Sequence, residues 1–198
     1  MVFLWLSLVT PALAGPTLLV IGDSLSAGYG LDRGLSWVDL LAASPEELLG
    51  ADVQVLNASI SGETTTGGLS RLPGLLDRHH PSSVLIALGA NDGLRGLPLD
   101  TMQENLKAMF SLVEASGAQV FYAGIELPRN YGGPFTPTFR QAQNAVAAQT
   151  GIPYLPFFLE PVALERTLFQ DDGLHPTEEA QPLIADYVGR FLQESLLK

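Results

Sequence analysis

Two runs in this chain, Leu18-Leu-Val-Ile21 and Val84-Leu-Ile-Ala87, are apolar at every position and are followed within two residues by glycine. A strand with one face in water alternates apolar and polar side chains, whereas one that is apolar throughout must be covered on both faces. Separated by helices, such strands favour a mostly parallel sheet, whose neighbours need the long crossover connections that helices normally supply. The remaining pattern agrees. Strands are predicted at Thr17–Ile21, Val53–Asn57, Val84–Leu88 and Gln119–Ala123, with a short fifth at Pro153–Pro156. Helices are predicted at Ser36–Leu49, Gly68–Leu76, Phe139–Gln149 and Thr177–Leu196. A further helix before Gly117 carries Met102, Leu106, Met109, Phe110 and Val113 on one stripe, and Asp100 and Gln103 have the spacing of a capping box at its start. The expected architecture is a three-layer α/β/α sandwich around a five-stranded, mostly parallel sheet, with residues 15–198 forming a single domain.

Charge and composition remove several function classes. Ten Lys and Arg against twenty-one Asp and Glu leave a net charge of −11, the wrong sign for a nucleic-acid or anionic-membrane surface. Lys107 and Lys198 are the only lysines, and the arginines are scattered. With no cysteine, disulfides, thiolate metal sites and a cysteine nucleophile are excluded. Residues 1–14 form an apolar run ending in Ala12-Leu-Ala14, the small-x-small pattern of a secretory cleavage site, although no Lys or Arg precedes it and Met1 need not be the true start. They are read as a signal peptide, which makes the mature protein periplasmic or secreted. The run is shorter than the roughly twenty residues a membrane span requires, so no stable membrane insertion is expected. The protein is expected to be a monomer with no nucleic-acid partner.

In open parallel sheets, ligands collect where strands stop. Here the strand ends carry Gly22-Asp-Ser24, Asn57-Ala-Ser-Ile-Ser-Gly62 and Gly89-Ala-Asn-Asp92. Ser24 is the candidate nucleophile, because a small neighbour lets a hydroxyl stand out of a tight strand-to-helix turn; Ser26 is close enough to stay in view. The segment is not the Gly-x-Ser-x-Gly elbow, and neither a dinucleotide fingerprint nor a phosphate loop follows the first strand. Serine needs an imidazole to take its proton and a carboxylate to orient that imidazole. Of the three histidines, His79 and His80 sit side by side before Pro81 as an ordinary polar loop pair without metal-ligand spacing. His175 lies in Asp171-Asp-Gly-Leu-His-Pro176, where Asp172 or its rival Asp171 can turn back onto the ring. The Gly62 N–H, the Asn91 carboxamide and the Ser24 backbone N–H are suitable oxyanion donors.

These four blocks, in this order, resemble the SGNH hydrolases, also called the GDSL-like lipases and esterases, and within them the bacterial periplasmic subgroup of acyl-CoA thioesterases, lysophospholipases and arylesterases. The similarity runs from about Thr17 to the final helix. It implies a flavodoxin-like fold with Ser24 as nucleophile, His175 as base, Asp172 rather than Asp171 as orienting acid, and Ser24, Gly62 and Asn91 as oxyanion donors. It leaves Asp23 and Asp92 a supporting geometric part. It also implies that Gly93-Leu-Arg-Gly-Leu-Pro98 is a mobile substrate-contact loop, with Leu94, Leu97 and the stretch from Tyr131 to Phe135 as groove candidates. The expected substrates are fatty-acyl esters, thioesters and lysophospholipids, with no cofactor and no metal. A short-chain carbohydrate acetylesterase using the same triad is the alternative, and a catalytically silent binding protein is a second.

Overall fold

The computed structural model describes residues 15–128, 132 and 134–196. The expected signal segment and the candidate Tyr131 lie outside the described residues.

Strands β1 (Thr17–Gly22), β2 (Gln54–Asn57), β3 (Ser83–Ala87), β4 (Gln119–Ala123) and β5 (Tyr154–Leu155) form one sheet in the order β2-β1-β3-β4-β5, and every neighbouring pair is parallel. The two apolar runs are central: β1 lies between β2 and β3, and all residues of β1 and β3 are buried. Edge strands β2 and β5 are short, which limits the unpaired backbone they present. The strand order reverses between β1 and β3, and that is the switch point where a crevice opens beyond the strand ends.

Helices α2 (Trp37–Ala43), α3 (Pro45–Leu49) and α8 (Gln181–Leu196) pack together as one layer, while α4 (Thr65–His79), α6 (Leu99–Ala115) and α7 (Phe135–Thr150) form the other. Single turns α1 (Ser24–Ala27) and α5 (Ala90–Leu94) follow β1 and β3 directly. The predicted stripe of α6, from Met102 to Val113, is completely buried, and each such side chain contributes roughly 1.5–3 kcal/mol by leaving water.

Several boundaries differ from expectation for identifiable reasons. The segment 36–49 is two helices, because Ser44 leaves helical geometry (φ −137°, ψ 57°) ahead of Pro45, as a residue before proline tends to do. The capping box expected at Asp100 is not formed. Helix α6 starts at Leu99 without a side-chain cap, Asp100 sits inside its first turn, and Gln103 instead donates to the Ala142 carbonyl of α7 at 3.0 Å. A capping box does form at Ser36 and Asp39. Helix α4 begins at Thr65, capped by Thr64, and runs to His79, so the histidine pair closes a helix. Helix α7 begins four residues early, and α8 begins at Gln181 after a 3-10 turn over Glu178–Ala180.

Candidate active site

At the end of β1 the chain turns within one residue into α1. Gly22 is required there, since a Cβ at that position would lie 2.7 Å from Ser26 Oγ and 2.8 Å from Ser26 Cβ. Asp23 caps the turn by accepting from the Leu25 N–H at 3.0 Å. Ser26 points into the protein and is fully buried, which removes it from contention. Ser24 Oγ faces outward and meets His175 Nε2 at 2.8 Å.

His175 comes from a loop that the chain closes on itself. Gln170 N–H donates to the His175 carbonyl and Thr177 N–H to the Leu168 carbonyl, both at 2.8 Å. Within this loop Asp172 Oδ1 accepts from the backbone N–H groups of Leu174 (2.9 Å) and His175 (3.0 Å), while Oδ2 lies 2.6 Å from His175 Nδ1. The carboxylate at Nδ1 assigns the proton to that nitrogen and leaves Nε2 to accept from the Ser24 hydroxyl. Partial desolvation pushes the Asp172 carboxyl up, but the hydrogen bonds from the His175 ring and from the His175 and Leu174 amides outweigh it and bring it down to about 2. Asp172 is therefore ionised throughout the neutral range. Asp171 makes no such contact; its carbonyl instead accepts from Arg166.

Beyond β3, Gly89 at φ +125° allows the immediate turn into α5. Asn91 on this turn donates through Nδ2 to Asp23 Oδ2 at 3.2 Å, so the two strand ends are joined by a side-chain bond across the switch point. Asp23 is 2% exposed, and burial lifts its carboxyl to about 6 against the lowering hydrogen bonds from Leu25 and Asn91. The adjacent Asp92, also buried, accepts from the Thr65 hydroxyl (2.6 Å) and the Thr65 N–H (2.9 Å), locking α5 to the start of α4. Gly62 occupies the connection before α4 at φ +79°, and its carbonyl accepts from Arg95 Nη2 at 2.7 Å.

A cavity of about 740 Å³ opens from Ser24, Asn91 and His175. Ile125, Leu127, Phe157, Leu159 and Ala163 give it a mostly apolar wall. The Ile125 backbone is held on both sides by the buried Gln143 side chain, at 3.0 Å through its N–H and 2.8 Å through its carbonyl. Among the groove candidates, Leu94 lines this cavity. Leu97 and Phe135 do not. The Leu97 N–H is tied to the Asp92 carbonyl at 2.9 Å and its side chain is 37% exposed, while Phe135 opens α7 and faces Phe139, with ring centroids 6.4 Å apart. Gly62 is likewise not part of the cavity wall. Among the described residues, no cluster of His, Asp and Glu has the makings of a metal site, and no helix is long and apolar enough to cross a membrane.

Two contacts at the site have no counterpart in the sequence reading. Arg166 donates from Nη1 to the carbonyls of Phe169 and Gln170 (both 2.9 Å) and from Nη2 to that of Asp171 (3.1 Å), organising the loop that carries Asp172 and His175. Tyr29 lays its ring beside that of His175, with centroids 4.4 Å apart. The available signals were slight: an arginine six residues before Asp172 in a chain with ten basic residues, and an aromatic residue flanked by Gly28 and Gly30.

Known proteins are similar to this chain in sequence and in fold. The profile of the GDSL-like Lipase/Acylhydrolase family matches residues 20–182. The chain is 49% identical over 185 residues to an arylesterase of Vibrio mimicus, covering 92% of this chain and 91% of that one. It is 43% identical over 192 residues to thioesterase 1/protease 1/lysophospholipase L1 of Escherichia coli K12, covering 96% and 90%. The crystal structure of the psychrotrophic esterase EstA from Pseudoalteromonas sp., inhibited by monoethylphosphonate, superposes with a TM-score of 0.86 at 40% identity, covering 93% of this chain and all of that one. The family profile spans both the Ser24 turn and the His175 loop, and the chain belongs to the GDSL-like lipase/acylhydrolase family.

Proposed function

We propose that this protein is a serine hydrolase that cleaves fatty-acyl esters and thioesters through an acyl-enzyme on Ser24. The observation that carries this reading is the continuous relay from Asp172 Oδ2 to His175 Nδ1 (2.6 Å) and from His175 Nε2 to Ser24 Oγ (2.8 Å). Ser24 Oγ attacks the acyl carbonyl as His175 Nε2 takes its proton, and Asp172 holds the ring and balances the imidazolium. The oxyanion is met by the Ser24 N–H and the Asn91 carboxamide, both of which open on the cavity, and by the Gly62 N–H, a role that rests on the family resemblance alone. His175 then protonates the departing alcohol or thiol, and water repeats the sequence to release the acid. No cofactor enters the scheme.

The apolar wall from Ile125 to Ala163 favours a fatty-acyl chain over acetyl, since each buried methylene is worth up to about 0.8 kcal/mol. Similarity to an arylesterase and to a thioesterase/lysophospholipase supports the same reading. The protein acts as a monomer outside the cytoplasm, a location resting on the apolar run that ends in Ala12-Leu-Ala14. Cytosolic acyl-CoA is out of reach there, which makes lysophospholipids and other small carboxylic esters the better natural substrates.

The test pairs oxygen esters, thioesters and lysophospholipids across acyl lengths with covalent labelling by a fluorophosphonate, for the wild type and Ser24→Ala. Turnover rising with acyl length, and both labelling and turnover lost in the variant, are the expected results. An acetyl-only preference would leave the acetylesterase alternative, and a wild type that takes no label would leave the silent binding protein.

A further inference from the structure

Tyr29 touches the base without belonging to the relay or to the cavity wall. It follows α1 between Gly28 and Gly30, both at φ +75°. Its side chain is 52% exposed, so the need to bury apolar surface does not account for an aromatic residue at this position. The ring centroid is nevertheless 4.4 Å from that of His175, with the planes tilted by 35°. The backbone beneath it is fastened to the His175 loop: Gln170 Nε2 donates to the Tyr29 carbonyl at 2.8 Å and to the Pro176 carbonyl at 3.1 Å. One carboxamide therefore staples the turn after Ser24 to the turn after His175. Position 30 has to be glycine for this staple to fit, because a Cβ there would lie 2.3 Å from Gln170 Oε1.

The two nitrogens of His175 are engaged by Asp172 and Ser24, which fixes the ring at its edges but leaves its rotation and its faces to other contacts. Asp23 is the other carboxylate near enough to feel the charge of the ring, and Tyr29 is the aromatic neighbour. We propose that Tyr29 is a positioning residue for His175, setting the ring between Ser24 and Asp172 and steadying the positive charge it gains when Ser24 attacks. An aromatic face attracts a cation and has little hold on a neutral ring, so the interaction strengthens as the transition state is approached. Because Tyr29 does not line the cavity, its effect belongs in kcat and leaves KM unchanged. This inference rests on the acyl-enzyme reading above.

Tyr29→Phe keeps the face and drops the hydroxyl, whereas Tyr29→Leu and Tyr29→Met keep apolar bulk and drop the face. The expected result is wild-type kcat for Tyr29→Phe and a fall of about two- to fivefold for both aliphatic variants. KM should be unchanged, the thermal midpoint preserved, and fluorophosphonate labelling of Ser24 slowed by the same factor as kcat. Two outcomes overturn the role: aliphatic variants that label and turn over like the wild type, or a loss seen in KM alone. Equal impairment of Tyr29→Phe would also overturn it by moving the effect to the hydroxyl. A wild type that takes no label instead overturns the acyl-enzyme reading itself, whatever the Tyr29 variants do.

Discussion

Asp23→Asn should give a protein that is more stable and yet slower. The Asp23 carboxyl is almost completely buried and is lifted to about 6, chiefly by desolvation. Holding a carboxyl at about 6 instead of 3.8 means that its ionised form costs the folded protein about 3 kcal/mol at neutral pH. Asparagine removes that cost and still offers an oxygen to the Leu25 N–H, but it places an NH2 group where Oδ2 now accepts from Asn91 at 3.2 Å. Two donors cannot face each other, so the Asn91 amide turns over and presents its oxygen where its NH2 had been. On the proposed roles this removes one of three oxyanion donors, worth about 3–4 kcal/mol, or roughly 10²–10³ in kcat; Asn91→Ala should show a loss of the same order. A carboxyl whose pKa is raised by folding favours the folded state most below its unfolded value and loses that contribution as pH rises through about 6. The wild type should therefore lose up to about 3 kcal/mol from this group between about pH 4 and pH 7, and the variant should not. Urea unfolding at several pH values, with kcat measured on a chromogenic ester, tests both parts. Wild-type kcat in Asp23→Asn would refute the control of Asn91 by Asp23, and a stability gap that does not widen with pH would refute the desolvation argument.

Asp172→Ala should lower kcat by about 10³–10⁴-fold, while Asp171→Ala, whose side chain is outside the relay, should change it little; equal small effects would reject the assignment. Arg166→Ala frees the carbonyls of Phe169, Gln170 and Asp171 together and should cost about tenfold in kcat, with Arg166→Lys failing to restore it because an ammonium cannot span three carbonyls as the guanidinium fork does. Full activity in Arg166→Ala would show that the loop holds itself. Ala163→Phe fills part of the cavity and should shift the preferred acyl chain to shorter lengths, by about fourfold in kcat/KM per excluded methylene. A panel of chain lengths with an unchanged optimum would place the acyl chain elsewhere. The lowered Asp172 carboxyl works in the opposite sense from Asp23: its contribution is present above about pH 4 and is lost as pH falls toward about 2, so between those values the wild type should lose more stability in urea unfolding than Asp172→Asn, and equal losses would refute the assignment.

Local sequence was enough for the sheet and for the short list of residues from which the relay is drawn. Continuous apolar strands must be covered on both faces, and with helical segments between Leu18–Ile21 and Val84–Ala87 to supply that cover, the pattern points to a buried parallel sheet. Asp171 and Asp172 both lie within one turn of His175, so spacing left either carboxylate able to reach the ring; the family resemblance favoured Asp172, and the fold places its Oδ2 2.6 Å from Nδ1. Ser24 and Asn91 sit where strands stop, which is where such a sheet opens. Tertiary structure decided everything that depends on which segments become neighbours. The choice between Ser24 and Ser26 turned on which hydroxyl faces a loop 151 residues away. The lifted carboxyl of Asp23, the clamp of Arg166 on its three carbonyls, the tilted contact of Tyr29 with His175 and the exclusion of Leu97 and Phe135 from the cavity are likewise properties of assembled surroundings. Periodicity reports which face of an element must leave water, because that cost is local to each side chain. It carries no record of what will be met there, since desolvation and hydrogen-bond partners come from chain segments distant in sequence.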